Sequence, residues 1–111
     1  MWFIFPQIDG LGMSLISKKY SIKSSQEAKD YLNHNILGKR LIESASALMK
    51  IEDKSARSIF GYPDNLKLKS SMTLFKIISS DIEIFSDVLE KYFNNELCEY
   101  TEKYFIDVDY V

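Results

Sequence analysis

The apolar positions fall into two regimes along the chain. At the start, Trp2, Phe3, Ile4 and Phe5 stand side by side and run into Pro6, Gln7, Ile8 and Asp9, then Gly10 and Gly12. A free terminus is ordinarily polar and frayed. Four large apolar side chains there predict a segment packed onto a core or over a pocket. Gly10 and Gly12 permit a tight turn, and residues 2–20 read as irregular or extended structure.

From residue 24 the period becomes helical. Ser24 followed by Glu27 is a capping box, which places a short helix over 25–33. Asn33, His34 and Asn35 break it. Leu37, Leu41, Ala45 and Leu48 recur at helical spacing, predicting a second helix over 36–50 with Lys39 and Glu43 paired on its outer face. Residues 55–60 read as one helical turn with Ala56, Ile59 and Phe60 inward. Gly61 to Asp64 then form a turn that delivers Asp64 as N-cap of a long helix. There Leu68, Met72 and Phe75 make an apolar stripe, widened by Leu74 and Ile78. Ser80 with Glu83 is a second capping box, predicting a helix over about 81–93 that buries Ile82, Phe85, Leu89 and Phe93 and ends at Asn94 and Asn95. Beyond Glu96, acidic and aromatic residues mix; a strand and a frayed helix fit that tail equally well. The expected fold is all-α: a compact single-domain bundle of about five short helices with an irregular N-terminal aromatic segment.

Composition narrows the class of function. The 111 residues fit one domain, and 46% hydrophobic with 14% aromatic content is enough for a real core. A net charge of −2 gives no strong nucleic-acid signal. No apolar run is long enough for a membrane span. Cys98 is the only cysteine, so no intrachain disulfide can form, which suits a cytoplasmic protein. His34 and Cys98 have no partners at ligand spacing, so neither a metal nor another cofactor is expected. Ser-His-Asp chemistry lacks its sequence signatures, and His34 between two asparagines reads as an exposed turn or cap residue. Cys98 has no base nearby in sequence and reads as a buried or idle thiol.

Two polar constellations remain. The segment 63–73 begins a helix, and free N–H groups there attract anions. Asp64, Lys67, Lys69, Ser70 and Thr73 are its candidate residues for a small anionic ligand. The plainer account makes Asp64 the cap and the lysines a solvated face. At the N-terminus, Trp2 and Phe5 could stack on a flat ligand while Gln7 reads its edge, with Asp9 or Asp64 as the acid/base candidate. The plainer account makes them a hydrophobic plug.

Several strings also carry a family resemblance. Residues 1–12, Tyr20 to Ile22, Glu27-Ala28 and Tyr31-Leu32 are followed in order by His34, Leu37-Gly38, Arg40-Leu41, Ser55-Ala56, Ile59 to Gly61, Pro63-Asp64, Leu66 to Leu68 and Ser70 to Phe75. Over roughly residues 1–93 this resembles the bacterial domain-of-unknown-function family DUF1810. The resemblance implies small all-helical cytoplasmic proteins without an established activity. It places a family-like domain at residues 1–95 and a divergent tail at 96–111, within that domain or appended to it. Members of the family usually carry a further helix before the Trp2 block, so an apolar start without it implies a homo-oligomer or another protein partner. Asn35 and Lys39 stand where the family often has proline, and Lys69 where it often has arginine. A more distant likeness, in helical character and in a Leu-Gly and Leu-Lys-Leu layout, is to the family that hydrolyses ADP-ribose-type N-glycosides. No catalytic residue is carried over from it.

The leading expectation is a non-catalytic binding or regulatory protein, such as an inhibitor carried by a phage or mobile element. Tyr100, Tyr104 and Phe105 are its candidate partner anchors. The alternative is a nucleotide or ADP-ribose-type ligand module, or an N-glycoside hydrolase.

Overall fold

The computed structural model describes residues 5–8 and 21–109, with 105–109 as backbone alone. Among these residues six helices follow one another: α1 (Ser25–Asn33), α2 (Leu37–Met49), α3 (Ala56–Phe60), α4 (Asp64–Ile78), α5 (Ile84–Phe93) and α6 (Glu99–Asp109). The tail is therefore helical, which adds one helix to the five expected.

Local chemistry sets most of the boundaries. Ser24 Oγ accepts the Glu27 N–H at 3.1 Å, and Glu27 in return accepts the Lys23 N–H. This is the expected capping exchange, with its return bond one residue earlier. His34 ends α1, and its Nδ1 accepts the N–H groups of Ile36 and Leu37, both at 3.1 Å. The ring thus supplies the cap that Ile36 lacks. Asn94 and Asn95 both take positive φ, and the Asn95 N–H returns to the Leu89 carbonyl, closing α5.

Two expected caps are corrected. Asp64 is not the cap of α4: Pro63 holds that position, and Asp64 is already helical. Its carboxylate turns instead to Lys67, 3.4 Å away. The Ser80–Glu83 box does not form either. Ser79 ends α4 and its hydroxyl donates to Asp81, so a turn occupies the intervening residues and α5 starts only at Ile84. In both places the turn entering the helix used up the residues that the local pattern assigned to capping.

α4 is the axis of the molecule, packing against α1, α3, α5 and α6, while α2 bridges α1 and α5. Seven of its residues are buried, Ser70, Ser71 and Thr73 among them, so its expected stripe is in fact a nearly all-round buried surface. Phe75 meets Tyr31 of α1 and Phe85 of α5 at centroid distances of 5.9 and 5.6 Å. Leu41, Ala45 and Leu48 of α2 complete this core with Val88 and Leu89 of α5.

The described part of the leading segment is packed, as expected. Phe5 meets Phe60 edge-on at 6.2 Å. Ile8 and Ile22 form an isolated parallel bridge, and the Ile22 N–H donates to the Gln7 carbonyl at 2.7 Å. Among the described residues no longer β structure occurs. Trp2, Phe3, Ile4, Asp9, Gly10 and Gly12 lie outside them.

Candidate functional site

Three residues of the expected anion site do come together, although not around the first turn of α4. Lys69, Ser70 and Thr73 face the entry to α6. Lys69 Nζ reaches Glu96 at 2.7 Å and lies 6.0 Å from the centre of the Phe93 ring. Ser70 Oγ lies 3.1 Å from the Leu66 carbonyl and 3.3 Å from Cys98 Sγ. Thr73 Oγ1 donates to the Lys69 carbonyl at 2.8 Å and accepts the Cys98 N–H at 3.0 Å. Lys67 stays apart, paired with Asp64.

Cys98, expected as a buried or idle thiol, is the residue that Ser70 and Thr73 meet. It directly precedes α6, and its carbonyl accepts the Glu102 N–H, which makes it the cap position. The thiol is free and half-buried. Burial pushes its pKa up, but the Ser70 hydroxyl, the Thr101 hydroxyl leaning on the sulfur without a well-formed hydrogen bond, and the Thr101 and Tyr100 N–H groups outweigh that, so the net shift is downward. Glu99 and Glu102 in the first turn of α6 were the available signal for a helix start here. Its contact with Ser70 could not be read from the chain, because 28 positions separate them.

The N-terminal candidates divide. Phe5 is core packing against α3. Gln7 is 2% exposed, and its side-chain nitrogen has no hydrogen-bond partner. An uncompensated buried amide donor is costly, so Gln7 is the unexplained polar group of this segment. Of the tail candidates, Tyr100 is exposed, whereas the Tyr104 hydroxyl donates to the Lys23 carbonyl at 2.6 Å. The Phe105 side chain lies outside the described residues.

Elsewhere, Lys91 Nζ donates to the carbonyls of Leu48, Met49 and Ile51, and the Tyr92 hydroxyl also donates to Leu48. Beside this clamp lies a shallow hollow of about 270 Å³ lined by Met49, Asp87, Glu90 and Lys91. Among the described residues no three His, Cys, Asp or Glu side chains gather to hold a metal ion, and no helix is long and apolar enough to cross a membrane.

Comparison with known proteins gives one family and one solved relative. The model of a protein family of unknown function, DUF1810, matches residues 1–105. The chain is similar to the conserved hypothetical protein Rv1873 from Mycobacterium tuberculosis, whose crystal structure superposes with a TM-score of 0.91 at 41% identity. The match covers 93% of this chain and 74% of that one. No curated protein matches.

Proposed function

The chain belongs to DUF1810, a family of unknown function, and from that premise we propose that it is a non-catalytic binding or regulatory protein of the cytoplasm. The observation that carries this reading is the use made of its polar side chains. Lys69 is held by Glu96, Asp64 by Lys67, and Ser70 and Thr73 by carbonyls of their own helix and by Cys98. Groups engaged in this way position a helix and are not free to meet a reacting atom. The free thiol of Cys98 supports the cytoplasmic setting.

What faces outward suits a protein partner. Tyr62 is 67% exposed with the Arg57 guanidinium 5.7 Å from its ring centre, and Leu66 and Tyr100 are also exposed. Tyrosine and arginine are the residue types on which interfaces most depend. Affinity capture from a host lysate, with the intact chain and with Tyr62→Ala and Tyr100→Ala, tests this. The reading predicts a partner lost in at least one variant; three identical partner lists would sink it. Light scattering on the purified chain separates a second copy from a different protein.

A ligand-binding reading is favoured by Gln7 alone, since its buried amide nitrogen would be satisfied by an acceptor on a nucleotide-like molecule. A thermal-shift screen with nucleotides and NAD derivatives tests it. A stabilising compound whose effect disappears in Gln7→Leu supports this reading, and a flat screen refutes it.

A further inference from the structure

We infer that α6 is a strap, a helix that detaches from the body as a unit while the rest of the fold stays intact. Its main helical neighbour is α4. Among the described side chains, the contact with α4 is small and polar where Cys98 meets Ser70 and Thr73 and where Thr101 stands one turn further along. Leu97 and Tyr104 pack only partly buried at the edge of the core. By contrast, α4 meets α5 through Phe75 and Phe85. Burying small hydroxyls returns little of the hydrophobic stabilisation that burying aromatic rings does.

The closed position also carries a penalty of its own. Thr101 is fully buried, and its Oγ1 has no partner in good hydrogen-bond geometry. It has only the Cys98 sulfur to lean on, a weak acceptor. Opening gives that hydroxyl water.

Polar clasps hold the strap just before its start and near its middle. Glu96 just before α6 is bound by Lys69 at the surface, and Tyr104 is bound by the Lys23 carbonyl. Lys23 follows Ile22, whose bridge to Ile8 holds the Gln7 backbone. Opening of α6 therefore releases its hold on the segment next to Gln7, while the Phe75–Phe85 core is untouched. Low-stability units of this kind are where proteins place moving parts.

Native-state hydrogen exchange of the full chain across sub-denaturing urea tests the inference, with Ellman's reagent reporting on Cys98 as the only thiol. The α6 amides from Lys103 onward should converge on an isotherm of their own, opening at least about tenfold more often than Met72 and Phe75. Cys98 should be labelled with that same opening constant. Thr101→Val, which removes the lone hydroxyl and keeps the shape, should slow α6 exchange severalfold and leave α4 unchanged. Exchange of α6 and α4 on one common isotherm overturns the strap. So does graded fraying inward from Asp109 with Cys98 labelled only on global unfolding. Exchange of α6 that is unchanged or faster in Thr101→Val overturns it as well.

Discussion

Gly38 stands so close to Leu32 that a Cβ built on it would lie 1.8 Å from the Leu32 carbonyl oxygen. The obstacle is backbone, so no rotamer change relieves it. This approach lets α2 fold back tightly on α1 after the His34 break. Gly38→Ala should cost on the order of 1–3 kcal/mol or more and lower the melting temperature by several degrees, measured by circular dichroism. Gly61 is restricted for a different reason: nothing stands within 4 Å of its added Cβ, but its φ of 77° with ψ of 178° is a conformation almost reserved for glycine. Gly61→Ala should therefore cost about 1–3 kcal/mol through backbone strain. An unchanged melting temperature in Gly38→Ala would contradict the steric account.

The end of α2 is capped from a distance. Lys91 brings a positive charge to the carbonyls that α2 leaves open at its C-terminus, and the Tyr92 hydroxyl shares one of them. Lys91→Met should destabilise by about 1–2 kcal/mol and Tyr92→Phe by about 1 kcal/mol. Because both act on Leu48, their combined cost should be non-additive in a double-mutant cycle. Strict additivity in urea denaturation would refute the shared acceptor.

The Cys98 thiol is held below its ordinary pKa by the Ser70 and Thr101 hydroxyls and by the N–H groups at the start of α6, despite its burial. The pH midpoint of its alkylation should therefore lie below that of a free cysteine, and Ser70→Ala should raise it. A group with a depressed folded pKa stabilises the fold once it is ionised. The contribution is fully present above the unfolded thiol pKa and is lost as pH falls through the folded one. Stability should rise with pH across that window in the native chain and less so in Cys98→Ser. An alkylation midpoint at or above the free-cysteine value would exclude this arrangement.

Glu96 titrates below the ordinary carboxylate range because the Lys69 ammonium bonds to it. Its depressed pKa means that the clasp is intact above that range and is lost as pH falls through the folded value. Glu96 is exposed, so the effect on global stability should be small and screened by salt. Carbon-detected titration should return Glu96 to the ordinary range in Lys69→Met, and an unmoved titration would count against the pair.

His34 offers a local test. Its ring accepts two N–H groups at the start of α2, so His34→Ala should cost about 1 kcal/mol and His34→Asn less. Equal unfolding midpoints for all three chains would leave the ring without this role.

The existence of α1 to α5 and most of their ends are legible in the sequence, whereas the tail pattern fits a strand as well as the helix α6. Ser24 and Glu27, the Leu37-to-Leu48 spacing and the Asn94 stop all act within a few residues of themselves, and local interactions of that kind are written in local order. The same reasoning misplaced the caps at Asp64 and Ser80, because the turns feeding those helices compete for the same residues. The anion-site candidates show a different limit. The side chains that Lys69 and Ser70 meet belong to Glu96 and Cys98, 27 and 28 positions away, which no local pattern records.

Local order, then, determined the five helices that precede the tail, their apolar positions and most of the turns at which they begin and end. Tertiary structure alone decided which polar groups are spent, which stay unsatisfied and how closely backbones approach. Gly38 against Leu32, Ser70 against Cys98 and the lone hydroxyl of Thr101 arise only when helices distant in sequence are pressed together. The energy of a buried polar group is set by what surrounds it, and the surroundings are supplied by the rest of the fold.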